Sequence, residues 1–167
     1  GEIQNLEHRE AVEKMREIID HNSICLFATG LSDVPLMVRP MTTQGVDDDG
    51  CLWFFSGLHS EKNIDIGDDA RVQLFYANTG NSEFMSVYGE AYIVKDHKKI
   101  DELWSPIAKA WFEQGKNDPE LSLIKVVPEE AYYWDTKNNK TFTLMKIAAA
   151  AVTGKDVNPG VKGKLKV

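Results

Sequence analysis

The sequence lacks the features that mark several large classes of protein. It has no apolar run long enough to span a membrane and no signal-peptide pattern at its N-terminus, so we expect a cytoplasmic protein without a membrane partner. Its 19 lysines and arginines are outnumbered by 26 aspartates and glutamates, which gives a net charge of −7. Because nucleic-acid binding requires a basic face, this balance argues against a nucleic-acid partner.

Cysteine and histidine are also scarce. The two cysteines, Cys25 and Cys51, lie in apolar strand-like segments without metal or CxxC spacing, which is typical of buried free thiols. The four histidines form no HxxxH or HxH pair, and the aspartates at 47–49 lack the ligand spacing of a calcium loop. No nucleophile–base–acid pattern stands out. We therefore predict no metal site, and the catalytic residues stay unknown at this stage.

The most informative stretch is residues 51–66, where a predicted strand over Leu52–Ser56 turns at Gly57 into a short helix. Ser60 occupies the position expected of a helix N-cap. A helix start presents unpaired N–H groups and the positive end of the helix dipole, so it favours an anion. Lys62 in the first turn opposes that dipole, which makes sense if a phosphate lies there. The alternative is a capped surface helix with a solvated lysine.

The remaining chain alternates strand-like segments with short turns. An amphipathic helix is predicted over residues 5–20 and an interrupted one over residues 96–115. Further strands are predicted over residues 23–29, 34–43, 71–78, 84–94, 121–127, 131–135 and 141–152. Short connections imply antiparallel neighbours, and so many strands usually close into a barrel. We predict a mainly β domain over residues 1–153, a six- or seven-stranded antiparallel β-barrel with flanking helices, and a loosely held C-terminal tail over residues 154–167.

Proline and glycine residues predict irregular pairing in two of the predicted strands. Pro35 and Pro40 cannot donate to a ladder, so the strand over residues 34–43 must lie at a sheet edge or be bulged. Such a strand leaves backbone groups free for a ligand. Gly89, inside the strand over residues 84–94, predicts a bulge or tight bend.

Four segments together resemble the FMN-binding split-barrel superfamily, which contains pyridoxamine 5′-phosphate oxidase and the related general stress proteins. They are Val38-Arg-Pro-Met-Thr42, Leu52-Trp-Phe-Phe-Ser-Gly57 with Ser60-Glu-Lys62, Val87-Tyr-Gly-Glu-Ala91, and Tyr132-Tyr-Trp-Asp135. The resemblance covers nearly the whole chain and fits the general stress protein branch. It implies a split β-barrel and a homodimer that holds a flavin at the subunit interface. The cofactor implied is FMN, with FAD as the alternative.

The resemblance also assigns residues to the flavin phosphate and ribityl chain. Arg39 matches the arginine that meets the FMN phosphate, and Ser60 with Lys62 match the phosphate-binding helix start. Phe55 and Ser56 match the strand-end pair at the ribityl chain and phosphate. These residue types suit a dianion, because a phosphate favours a bidentate arginine together with a lysine.

A second group is assigned to the flavin ring. Pro40, Met41 and Thr42 match the backbone that runs along the isoalloxazine ring, and Trp134 resembles the tryptophan that packs near the partner subunit's flavin. A flavin ring needs an apolar slot with a few directed donors, which a proline-interrupted strand can supply.

Two departures separate this chain from the oxidases. Gln44 stands where they have a lysine, and residues 136–142 contain neither the arginine nor the histidine of their Arg-x-His arrangement. We therefore do not expect pyridoxamine 5′-phosphate oxidase activity. Two functions stay open: a flavin-dependent oxidoreductase with an unknown small-molecule redox partner, or a non-catalytic stress protein that holds or buffers FMN or FAD. A heme- or deazaflavin-binding relative of the same barrel is a third.

Overall fold

The structure is a computed structural model that describes residues 2–136 and 160–167. Ten strands lie in these residues: β1 (Glu2–Ile3), β2 (Leu6–Glu7), β3 (Ile24–Thr29), β4 (Met37–Thr42), β5 (Gly45–Val46), β6 (Leu52–Gly57), β7 (Arg71–Asn78), β8 (Glu83–Val94), β9 (Leu121–Thr136) and β10 (Gly160–Lys166). The helices are α1 (His8–His21), α2 (Glu61–Asp68) and α3 (His97–Leu103), followed by 3₁₀ turns at Pro106–Ala110 and Gly115–Asn117.

The strands form one curled, mainly antiparallel sheet in the order β1-β10-β9-β8-β7-β3-β4. β6 pairs with the first half of β9, and β5 pairs with β6. Pairing is parallel where β1 and β2 meet β10. β4 and β6 lie near each other without a ladder in the described part of the chain, and this gap is the split of the barrel. The predicted mainly β split barrel with flanking helices is confirmed. The predicted strand number was too low because β1, β2 and β5 are two-residue strands that carry no readable pattern.

The core lies inside the barrel, with α1 packed against it. Phe27 and Phe54 are fully buried and meet edge to face with ring centroids 5.2 Å apart. Met15 and Ile18 of α1 join them at the spacing that the sequence predicts. A second, smaller cluster forms between β6, β9 and the α3 region. Its buried members are Trp53, Ile100, Phe112, Leu121 and Leu123.

Both backbone predictions from proline and glycine are confirmed. β4 is an edge strand that pairs with β3, where Pro40 stands opposite Leu26. The β8–β9 ladder shifts register between Tyr88 and Gly89, and Pro128 of β9 lies opposite Gly89. This bulge lets β9 continue through its proline, which explains why one strand stands where the sequence predicts two.

The C-terminal segment differs from the expected loosely held tail. Residues 160–166 form β10, paired with β9 and with β1 and β2, and bury Val161 and Leu165. These two apolar side chains lie on one face of a strand whose lysines face outward, a short alternation that glycines and charges obscure. The predicted strand over residues 141–152 lies outside the described residues. No helix in the described ranges is long and apolar enough to cross a membrane.

Candidate functional site

A groove of about 640 Å³ lies at the split between β4 and β6. Its lining residues are Arg39, Pro40, Met41, Thr42, Gln44, Phe55, Ser56, Gly57, Ser60, Lys62, Ser105, Ile107, Ala108, Trp111 and Phe112. They include every residue that the sequence assigns to a flavin except Trp134. The fold therefore brings together segments that are separated by many residues along the chain.

The edge strand β4 forms one wall of the groove. Its far edge is free of strand pairing in the described residues, as Pro40 predicts, whereas Pro35 precedes the strand. The two walls meet again at Gln44, whose backbone N–H donates to the Trp53 carbonyl at 2.7 Å. The Gln44 side chain, in turn, donates to the Thr42 carbonyl at 3.1 Å. Gln44 thus closes one end of the split.

The opposite wall ends in a network of small polar side chains. Ser60 lies at the N-cap position of α2, as predicted, but its side chain makes no capping hydrogen bond. Its hydroxyl instead lies 3.2 Å from that of Ser56. Ser56 is buried and donates to the Asn63 side chain at 2.7 Å. The first turn of α2 is therefore left without a serine cap. Since the Asn63 N–H donates to the Ser60 carbonyl at 3.0 Å, the N–H groups of Glu61 and Lys62 are the ones that this turn can offer to an anion.

Two side chains that do not line the groove bind the Arg39 guanidinium. One guanidinium nitrogen, Nη1, donates to Thr29 Oγ1 at 2.6 Å, and the other, Nη2, donates to Asp65 Oδ2 at 3.2 Å. Thr29 Oγ1 also donates to the same Asp65 oxygen at 2.7 Å. The three side chains form a closed triangle that joins β4, β3 and α2.

Lys62 has no such support. Among the described residues it makes no ion pair, although it lines the groove and is only partly exposed. Burial lowers its pKa, and the nearby charge of Arg39 lowers it further. Two positively charged side chains thus line the same part of the groove, and a carboxylate is bound to only one of them. Their mutual repulsion is unfavourable, and a bound anion would relieve it.

Apolar side chains line the other part of the groove. Phe55 is held edge-on by Trp104 and Phe112, with ring centroids 5.7 and 6.3 Å away. Ile107 and Trp111 are each 73% exposed, which is unusual for such large apolar side chains. The groove thus joins a cationic end to an apolar slot.

The helix predicted over residues 96–115 is interrupted, as expected: α3 ends at Leu103 and a 3₁₀ turn begins at Pro106. Trp104, which follows α3, packs on Phe55, while Trp111, which follows the 3₁₀ turn, lines the groove.

Other residues that support the groove carried no sequence signal. Asn63 is buried within a short helix, and Ser122 lies in an apolar strand, where its hydroxyl accepts from Asn63 at 3.1 Å. Thr29 and Asp65 likewise belong to segments that look ordinary in the sequence. Their importance comes only from contacts across the fold.

Trp134 lies on β9, away from the groove lining. It is 42% exposed, stands opposite Phe84 in the ladder, and its ring centroid is 4.8 Å from that of Tyr132. Within one chain, the structure does not bring Trp134 to the other predicted site residues.

A separate group of charged side chains joins α1 to β8. Glu17, His21 and Glu83 place one potential ligand atom each within 4.8 Å of one another. His21 Nδ1 lies 2.8 and 2.9 Å from the two Glu83 oxygens, and Asn78 donates to Glu83 at 3.2 Å. These hydrogen bonds account for the approach of His21 to Glu83, and Glu17 pairs with Lys14.

Comparison with known proteins places this geometry in context. A family model described as pyridoxamine 5′-phosphate oxidase like matches residues 10–158. Protein bli-3 of Neurospora crassa is 27% identical over 140 residues, which cover 78% of this chain and 66% of that protein. The chain thus spans slightly less than two thirds of the length of this curated relative.

Two solved structures share the fold. A protein of Jannaschia sp. CCS1, provisionally named general stress protein 26, aligns with a TM-score of 0.75 and 21% identity over 93% of this chain and 99% of its own. The general stress FMN/FAD binding protein of Xanthomonas citri aligns with a TM-score of 0.67 and 27% identity, over 78% of this chain and 92% of its own.

Proposed function

The chain belongs to the pyridoxamine 5′-phosphate oxidase-like family, and from this premise we propose that it binds a flavin in the groove between β4 and β6. The cofactor proposed is FMN, with FAD as the alternative, since the similar Xanthomonas citri protein is named for both. The groove suits such a molecule because one end is cationic, as a phosphate requires, and the other is apolar, as a flavin ring requires.

One observation carries this proposal: Arg39 of β4 and Lys62 of the first turn of α2 line the same groove, beside the uncapped start of that helix. A protein with a net charge of −7 repels a dianion at long range, so binding requires concentrated local donors. Arg39 offers its remaining guanidinium hydrogens, Lys62 an unpaired ammonium, and α2 its first backbone N–H groups. The phosphate of the flavin would lie among these donors.

The apolar part of the groove supports the placement of the ring. Pro40 and Met41 of the edge strand line one side, and Phe55 and Trp111 add aromatic surface. A planar tricyclic ring gains from such aromatic contacts while the unpaired edge of β4 offers backbone groups to its heteroatoms.

Exposed apolar side chains on the sheet support the proposed homodimer. We call the outer surface of β4, β3, β7, β8 and β9 the apolar sheet face. Its large exposed apolar residues are Ile24, Leu26, Val38, Phe75, Phe84 and Trp134. Directly opposed residues of antiparallel strands share a face, so Pro40, Leu26 and Phe75 lie in one row. So broad an apolar surface favours cover by a second copy.

The groove and the apolar sheet face share residues, which is why we place the flavin near the subunit interface. Pro40 and Thr42 belong to the face by register and also line the groove. Trp134 lies on the same face, and a partner subunit would bring its Trp134 toward this region as the predicted role requires.

For chemistry, we propose a flavin-dependent oxidoreductase that acts on an unknown small molecule. A second candidate, a protein that holds or buffers flavin without turnover, gains support from one feature of the groove. Its described lining contains neither a histidine nor a carboxylate, and its lysine, Lys62, is the residue proposed for the phosphate, so no further side chain of these types is there to accept a proton of the substrate. Hydride or electron transfer remains feasible, since the flavin itself would supply that chemistry.

Binding is tested by titrating the parent protein with FMN and with riboflavin while flavin fluorescence is followed. Arg39→Ala and Lys62→Ala should each weaken FMN about tenfold to a hundredfold, since a hydrogen bond to a charged group contributes about 1.5–3 kcal/mol. Riboflavin lacks the phosphate and should respond little. Arg9→Ala and Lys98→Ala remove the same charges outside the groove and serve as controls. If both groove variants bind FMN as the parent does, the phosphate site is elsewhere.

Catalysis is tested on the flavin-loaded protein. Anaerobic mixing with NADH or NADPH, followed by addition of an electron acceptor, should bleach and then restore the flavin absorbance in repeated cycles for an oxidoreductase. A rate no higher than that of free FMN with every donor tried would favour the flavin-holding role.

A further inference from the structure

The two cations of the groove differ in how they are held. Arg39 is bound by Thr29 and Asp65, whereas Lys62 has no carboxylate partner among the described residues. Neither Thr29 nor Asp65 lines the groove. A carboxylate beside a cation that is meant to bind phosphate weakens the attraction for that anion, so its presence calls for an explanation.

The triangle leaves Arg39 little freedom. Thr29 is fully buried on β3, and Asp65 lies one helical turn after Lys62 on α2. Because Thr29 Oγ1 donates to Asp65 Oδ2 at 2.7 Å, it accepts from Arg39 Nη1 with its lone pair, so every group in the triangle has a defined role. The guanidinium is fixed in one orientation, and its remaining N–H groups are available to the groove.

We infer that Asp65 and Thr29 are positioning residues, which fix the Arg39 guanidinium for bidentate contact with a phosphate. This inference rests on the proposed function. Ordering a free arginine side chain costs conformational entropy at the moment of binding, and the triangle supplies that order in advance. The gain from a fixed donor fork outweighs the loss of attraction caused by the Asp65 charge, which is distributed over two existing hydrogen bonds.

An electrostatic role and a positioning role of Asp65 predict opposite effects of one substitution on the affinity for FMN. Asp65→Asn removes a negative charge near the groove, so a purely electrostatic role predicts tighter FMN binding. A positioning role predicts weaker binding by about fivefold to tenfold, because the charged partner of Arg39 becomes a neutral one. Asp68→Asn, at the exposed end of the same helix, changes the net charge by the same amount. It therefore shows how far net charge alone changes the affinity for FMN.

Thr29 provides a test without any change of charge. Thr29→Val removes the hydroxyl that joins Arg39 to Asp65 and should weaken FMN by a similar factor. Thr29→Ser restores the hydroxyl and should recover most of the affinity. Thermal unfolding of every flavin-free variant identifies losses that come from the fold alone, and riboflavin affinity gives a second reference.

A double-mutant cycle distinguishes positioning from a general structural role. Asp65→Asn in the Arg39→Ala background should cost little further FMN affinity, because its effect passes through Arg39. FMN binding by Asp65→Asn that equals or exceeds that of the parent would overturn the inference, as would an undiminished loss in the Arg39→Ala background. If Arg39→Ala itself binds FMN normally, Arg39 does not hold the phosphate and this inference is refuted; if Lys62→Ala also binds FMN normally, the proposed phosphate site fails as well. A weakened Arg39→Ala beside an unaffected Asp65→Asn refutes the positioning role only.

Discussion

The Ser56 hydroxyl donates to the side-chain oxygen of Asn63 across 2.7 Å and thereby joins the end of β6 to the first turn of α2. The Asn63 side-chain amide donates to the Leu58 carbonyl and to the Ser122 hydroxyl, both at 3.1 Å. Ser122 in turn donates to the Ser56 carbonyl at 2.9 Å. The cationic end of the groove therefore rests on a buried and fully paired polar network.

Replacing Asn63 should disrupt this network and lower both the stability of the fold and the affinity for FMN. Asn63→Ala leaves Ser56, Ser122 and the Leu58 carbonyl without their partner in a buried region, and it should lower the free energy of unfolding by about 2–4 kcal/mol. FMN affinity should fall as well, because Ser56 lines the groove. Urea unfolding measures the first effect. Asn117→Ala, at an exposed position, should change stability by less than about 0.5 kcal/mol; an equal loss in both variants would contradict the prediction.

Lys62 should show a conflict between stability and binding. Its pKa in the folded protein lies below the usual value, through burial first and Arg39 second, so the unfolded chain holds this proton more tightly. Charged Lys62 therefore costs stability at neutral pH, and the cost disappears as the pH rises from the lowered pKa to the ordinary one. Flavin-free Lys62→Met should be more stable than the parent at pH 7, by a margin that shrinks toward pH 10.

Binding of FMN should depend on the same proton in the opposite sense. A phosphate dianion favours protonated Lys62, so parent affinity for FMN should decline as the pH rises through the lowered pKa, while riboflavin affinity stays level. Lys62→Met should bind FMN about tenfold to a hundredfold more weakly and lack this alkaline decline. Lys98→Met is the control for both measurements. An alkaline decline that persists in Lys62→Met would assign it to another group.

The Gly89 bulge should tolerate no side chain. A Cβ there would lie 2.1 Å from the Val127 carbonyl oxygen, so Gly89→Ala must shift the β8–β9 ladder and should cost about 2–4 kcal/mol. Gly67 offers a matched control, since a Cβ there meets nothing within 4 Å. Within α2, Gly67→Ala should stabilise by up to about 1 kcal/mol. Chemical denaturation of the pair decides whether close approach, rather than loss of glycine as such, sets the cost.

The proposed homodimer should depend on the apolar sheet face. Leu26→Glu and Phe75→Glu place charges in the middle of that face, and each should shift the protein toward a monomer of 18.8 kDa and weaken flavin binding. Ile3→Glu alters an exposed isoleucine on a different strand and should leave the assembly intact. Light scattering at micromolar concentration is the measurement. A parent protein that is already monomeric would refute the proposal.

Vitamin B6 phosphates should not be oxidised at a useful rate. Oxidation of the amine needs an oriented substrate, and the described groove lining holds neither a histidine nor a carboxylate to orient it. Gln44 also replaces the lysine expected from the oxidases. Flavin-loaded protein incubated with pyridoxamine 5′-phosphate should form no pyridoxal 5′-phosphate beyond the background of free FMN. Catalytic formation of that product would contradict both arguments.

The sequence by itself determined the features that depend on local pattern and backbone chemistry. Strand-like segments bounded by turns predicted the long strands, Pro40 predicted an edge or bulged strand, and Gly89 predicted a bulge or tight bend. The resemblance then selected the segments that carry Arg39 and Lys62, and both residues line one groove. The strand, edge and bulge inferences each need only residues close together in the chain, and the resemblance needs only the order of four short segments.

Only the tertiary structure decided how those segments meet. Arg39 and Asp65 are 26 residues apart, and their direct hydrogen bond, like the link through Thr29, depends on the packing of α2 against β3. Trp111 reaches the groove because the segment after Pro106 packs beside β4 and β6, and Leu165 is buried because β9 offers β10 a partner strand. Hydrophobic periodicity specifies which residues are buried in an element, but long-range packing determines which elements become neighbours and so which side chains build a site.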